Sequence, residues 1–102
     1  MTFIQIMEYE TTHPSEVNAL MDEWIAATEG KRTATHDIHT EDRDHPGRYV
    51  DIVEFPSYEL AMRNSHLPET QRIAGKMQEL CSEDVRFLNL DVLRDEAFAG
   101  AG

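Results

Sequence analysis

With 102 residues the chain has room for one domain and one core. Folding should bury roughly two-thirds of its surface at most, a fraction at which pairing with a second copy adds useful stability. Twenty acidic residues against nine basic ones leave a formal charge of −11, which repels phosphate backbones and anionic headgroups and argues against nucleic-acid or membrane partners.

No stretch approaches the roughly 20 apolar residues that span a bilayer. The opening Met1 to Met7 lacks a basic segment and soon meets Glu8 and Glu10, unlike a secretion signal. Cys81 is the single cysteine and cannot form an internal disulfide, so the expected compartment is the reducing cytoplasm.

Residues 2–10 are apolar and β-prone and predict a first strand. A helix follows: Thr12 or His13 can cap it, Pro14 suits its first turn, and Glu16 suits the positive end of its dipole. Val17, Leu20, Met21, Trp24 and Ile25 form its apolar stripe, and Gly30 closes it. Residues 31–40 and 48–55 predict a hairpin across the polar turn 41–47. Ser57 is the expected N-cap of a second helix, with Glu59 in its first turn. Pro68 lacks an N–H and disfavours helix at Leu67, so that helix should break and restart there. Ile73, Met77, Leu80 and Cys81 then repeat at helical spacing, residues 85–94 predict a last strand, and 97–102 read as a frayed tail after a single domain over 1–96.

The order β-α-β-β-α-β predicts an α+β, ferredoxin-like domain, a four-stranded antiparallel sheet with two helices on one face. Strand alternation divides the sheet residues into two sets. Ile4, Ile6, Ile38, Val50, Ile52, Leu88, Leu90 and Val92 are aliphatic and are expected beneath the helices. Phe3, Gln5, Met7, Tyr9, Thr35, Asp37, His39, Tyr49, Asp51, Val53, Phe55, Phe87, Asn89, Asp91 and Leu93 belong to a mixed face, expected to line a half-barrel that a partner closes.

The run from Tyr49 to Ala61, continuing through Asn64-Ser65-His66-Leu67-Pro68, resembles the dimeric α+β barrel superfamily, in particular its antibiotic-biosynthesis-monooxygenase-like branch. A strand ends on an aromatic, Ser and Glu begin a helix, and a His-containing break interrupts it. The resemblance implies two domains packed sheet to sheet as a homodimer. Each would enclose a small-molecule cavity between its sheet and helices. Heme-degrading members carry a histidine on the second helix, which His66 matches, an Asn on the first strand, where this chain has Gln5, and a Trp near the third strand. The only tryptophan here is Trp24, in the first helix, so heme is disfavoured and no cofactor is expected. Cofactor-free members oxidise polyphenolic substrates with oxygen.

On that resemblance the expected function is binding, and cofactor-independent monooxygenation, of an aromatic or polyketide-like molecule. His66 or His39 would be the base, with Asp51 as its orienting or proton-accepting partner. Gln5, Tyr49, Asn89 and Asn64 would supply hydrogen bonds, and Phe3, Phe55 and Phe87 apolar walls. The bland readings stand beside these: His66 as a helix cap or surface residue, Asp37 and Asp51 as solvated rim acids, Cys81 as a small core hydrophobe. Asp37 and Asp51 share a face and can raise one another's pKa. His36 and His39 sit three apart on a strand, on opposite faces, so no metal centre is expected from them. A non-catalytic ligand-binding or stress-responsive barrel, and a cofactor-free isomerase or cyclase, are the alternatives.

Overall fold

A computed structural model describes residues 1–100. The order is β1 (Phe3–Glu10), α1 (Pro14–Ala27), β2 (His36–Glu41), β3 (Arg48–Phe55), α2 (Tyr58–Ser65), α3 (Pro68–Glu79) and β4 (Arg86–Asp91). The strands form one antiparallel sheet in the order β2-β3-β1-β4, with helices on one face. This is the α+β, ferredoxin-like arrangement that the periodicity predicts. Residues 101 and 102, the end of the expected tail, lie outside the described residues.

Local chemistry explains the element boundaries. The Ser57 hydroxyl accepts from the Leu60 N–H at 3.2 Å and caps α2. The helix stops at Ser65 and α3 restarts at Pro68, because the proline has no N–H to continue the ladder. At α1 the expected side-chain cap is missing: the N-cap is His13, which makes no capping hydrogen bond. Thr11 acts just before it, its hydroxyl accepting from the His13 N–H at 3.0 Å.

The β2–β3 turn ends at Gly47, whose φ of +92° lies in the left-handed region. Its carbonyl accepts from the Thr11 N–H at 3.1 Å and joins the hairpin to the end of β1. Gly47→Ala is therefore expected to lower stability by about 1 kcal/mol, read from a urea midpoint shift at unchanged slope.

The assignment of the two sheet faces is reversed relative to expectation. Phe3, Tyr9, Tyr49, Asp51, Val53 and Phe55 of the mixed set are buried, packed against Val17 of α1, Ala61 of α2 and Met77 of α3. The aliphatic set lies on the outer face, where Ile38 and Leu90 are 41% and 42% exposed. The more aliphatic face is not the covered one because Tyr9, His39 and Asp51 on the inner face satisfy one another. No buried side-chain N or O among the described residues lacks a hydrogen-bond partner.

Candidate active site

Sheet register builds the site. His39 on β2 stands opposite Asp51 on β3, and Asp51 stands opposite Met7 on β1. One step along the inner face, Tyr9 faces Tyr49, and Glu41 follows on β2. In the other direction, Gln5 faces Val53 and Val53 faces Asp37. Three neighbouring rows thus bring Tyr9, His39, Asp51 and Asp37 onto one patch of an otherwise apolar surface.

Asp51 is its centre. It is 4% exposed. Its Oδ2 accepts from the Tyr9 hydroxyl at 2.9 Å, and its Oδ1 lies 2.5 Å from His39 Nδ1. With Asp51 ionised, Nδ1 carries the proton and donates to it. The Tyr9 hydroxyl is also 3.3 Å from that nitrogen. Tyr49 stacks on both partners, its ring 5.6 Å from the His39 ring and 5.7 Å from that of Tyr9. The carboxylate is thereby held on two sides and its imidazole partner on a third.

Burial pushes the Asp51 carboxyl above the usual carboxylate range, outweighing the hydrogen bonds from His39 and Tyr9 that pull it down. Burial, reinforced by Asp51, pushes the Tyr9 phenol far up, so Tyr9 stays a neutral donor. Desolvation, then repulsion from Asp51, also raises Asp37. Burial raises the Cys81 thiol, in keeping with a packing role rather than an activated thiolate.

Asp51 faces a cavity of about 350 Å³ between the sheet and the helices. Leu20, Met21 and Trp24 of α1 and Ile73, Ala74 and Met77 of α3 form its roof. Gln5, Met7, Asp37, Asp51, Val53, Phe55 and Phe87 form its floor, and Asn64 and Ser65 close one end. This volume is in the range of small-molecule sites, and so is the character of the lining, a few polar groups among apolar walls.

The residues singled out in the sequence divide into groups. Asp51, Gln5, Asn64, Phe55 and Phe87 line the cavity. His39 and Tyr49 are one layer behind, reached through Asp51. Asn89 accepts from the Gln5 amide at 3.1 Å and supports the floor from β4. Phe3 packs with Phe55 and Tyr58 in the adjoining core rather than on the cavity wall. Asn64 is buried, and its Oδ1 accepts from the Thr33 N–H at 3.2 Å. His66 is not brought to this cluster. It is the exposed C-cap residue of α2 and does not line the cavity. His36 turns to the outer face, 3.8 Å from Glu54. Tyr9 has no role legible in the sequence. Its alternation with Phe3, Gln5 and Met7 marks its face, and only the pairing with Tyr49 reveals its bond to Asp51.

No protein-family model and no curated protein matches the chain. Solved structures do. Rv0793 of Mycobacterium tuberculosis aligns over 95% of this chain and 100% of its own, at 18% identity and a TM-score of 0.79. A structure described as an antibiotic biosynthesis monooxygenase aligns over 92% of this chain and 100% of its own, at 16% identity and a TM-score of 0.74. The fold is that of the antibiotic-biosynthesis-monooxygenase-like proteins. SnoaB of Streptomyces nogalater, described as a cofactor-independent oxygenase, shares this fold. It aligns over 92% of this chain and 95% of its own at 13% identity, with a TM-score of 0.78. At these identities the likeness concerns the fold.

Proposed function

We propose that the chain is a small-molecule-binding barrel protein that oxidises a hydroxylated aromatic or polyketide-like substrate with molecular oxygen and no cofactor. One observation carries this reading: a buried carboxylate, Asp51, held by Tyr9 and His39, forms part of the floor of an apolar cavity roofed by helices. A base of raised pKa among apolar walls suits removal of a weakly acidic phenolic or ring-methylene proton. The fold shared with a cofactor-independent oxygenase supports the same chemistry. No histidine lines the cavity to ligate a heme.

Asp51 takes the proton from the substrate, leaving an electron-rich carbanion. The carbanion transfers one electron to O2, and the resulting radical pair combines to a peroxide anion. That anion takes the proton back from Asp51, and loss of water leaves a carbonyl where a methylene stood. The balance is one CH2 and one O2 giving one C=O and one H2O. Tyr9 and His39 keep Asp51 oriented throughout.

The test is oxygen uptake with hydroxylated naphthalenes and anthracenones, using protein freed of metal and flavin. The expected result is one O2 consumed per substrate, with a product that has gained one oxygen and lost two hydrogens. Binding without oxygen uptake across the series would overturn the oxidation and leave a ligand-binding barrel.

The functional unit in this reading is a homodimer. The outer sheet face presents Ile4, Ile6, Ile38, Ile52, Leu88 and Leu90 together, a continuous apolar surface of the kind that marks an interface. A second copy of the same face is a self-complementary partner for it.

A further inference from the structure

The charges around the cavity are one-sided. Asp37 and Asp51 both line it, and none of its lining residues is Lys, Arg or His. The two carboxylates differ in how they are matched. Asp51 is committed to Tyr9 and His39. Asp37, on the edge strand β2, makes no hydrogen bond or ion pair through its side chain among the described residues. Desolvation, then repulsion from Asp51, resists its ionisation, against a smaller pull from His39 and His36. A carboxylate at a cavity wall with no Lys or Arg beside it, and only the imidazoles of His39 and His36 nearby, gains from a ligand that brings a cation. The apolar roof of Leu20, Met21, Trp24 and Met77 asks for the opposite character in the rest of that ligand.

We infer that the preferred occupant of this cavity is a compact aromatic molecule bearing a protonated amino group seated against Asp37, and that aromatic carboxylates are rejected. The inference rests on the reading of this cavity as a small-molecule site and names the charge of what enters it. Three features act in the same direction. An anionic ligand would meet two carboxylates and no Lys or Arg on the cavity lining. The net charge of −11 depletes anions and enriches cations around the whole molecule. The volume of about 350 Å³ accommodates a ring system of two or three fused rings together with a short substituent.

The protein carries its own reporter. Trp24, the only tryptophan, lines the cavity. Its indole N–H donates to the Thr70 hydroxyl at 2.9 Å, which fixes the ring in place. A ligand in the cavity therefore changes Trp24 emission directly.

Three naphthalenes of similar size are titrated at neutral pH: 1-naphthylmethylamine, 2-naphthol and 2-naphthoic acid. The amine is expected to bind at least about tenfold more tightly than the acid, with the naphthol between them. Added salt should narrow the gap. Asp37→Asn, at an exposed strand edge where folding tolerates it, should weaken the amine about tenfold and leave naphthol unchanged. Equal affinities for amine and acid would overturn the inference. An unchanged preference in Asp37→Asn would overturn the assignment to Asp37. If none of the three alters Trp24 emission or is retained in equilibrium dialysis, the small-molecule reading beneath it fails as well.

Discussion

Asp51→Asn is expected to lower turnover of a hydroxylated aromatic substrate by about 10²–10³-fold while leaving the fold intact. Asparagine keeps the size of the side chain. It can accept from the Tyr9 hydroxyl and meet His39, so the local geometry survives, but it cannot hold the abstracted proton. The effect should fall on kcat, because the apolar roof binds the ring system whether or not residue 51 is ionisable. His66→Ala, altering an exposed cap residue away from the cavity, should change neither kcat nor KM. Loss of activity in His66→Ala with full activity in Asp51→Asn would invert the assignment.

Stability should move the other way. Burial holds the folded-state pKa of Asp51 above its unfolded value, near about 3.9. Between those two values the folded protein binds more protons than the unfolded chain, so stability falls as pH rises through that window. Above it the whole cost of a buried charge is present. Asp51→Asn removes that cost. Its stability relative to the wild type should therefore improve as pH rises from the acid range to neutrality. Activity runs opposite, since the base works only when ionised: kcat/KM should rise with pH through the same window and lose that limb in the variant. Asp51→Ala is the contrasting case, since it strands the Tyr9 hydroxyl and the His39 nitrogen and should cost about 1–3 kcal/mol. A site that costs stability and supports turnover is what a positioned base in an apolar pocket requires.

Legibility in the sequence varied with the physics involved. Element order was readable because period and punctuation agree: the Val17 to Ile25 stripe, the Ser57 cap and the Pro68 break each have one local reading. The face of the sheet that carries the helices was not readable from apolar content. Tyr9, His39 and Asp51 look like a solvated set until their mutual hydrogen bonds are known, and those bonds depend on register. A one-residue slip of β2 against β3 would send His39 to the outer face and break the site. The sequence pattern nevertheless brought Asp51 and His39 onto one face and Asp37 beside them. His66 shows the opposite failure. A histidine before a proline in a broken helix has the same local signature whether it caps the helix or reaches a cavity, and only the direction of α2 separates the two.

The outer face yields the second large effect. Ile52 stands at the middle of a row that crosses the sheet, paired with Ile38 on β2 and Ile6 on β1, with Leu88 beyond on β4. In a single copy Ile38 is 41% exposed and Ile6, Ile52 and Leu88 are partly exposed. A homodimer packed through it buries Ile52 near the centre, where substitutions cost most. Ile52→Asp should then convert a dimer to a monomer at micromolar concentration, because two carboxylates related by the twofold axis would be desolvated beside each other. Sedimentation equilibrium reads this directly, and the far-UV circular dichroism should be preserved, since residue 52 points away from the helices. A variant that remains dimeric, or a wild type that is monomeric, would overturn the sheet-to-sheet pairing. The cavity walls come from one chain, so the monomeric variant should still quench Trp24 on binding naphthol. Its melting temperature should fall and become insensitive to protein concentration, whereas that of the dimeric wild type rises with it. Pairing would thus supply the stability that the buried Asp51 carboxylate on the inner face removes, which places the cost of the site on one side of the sheet and its compensation on the other.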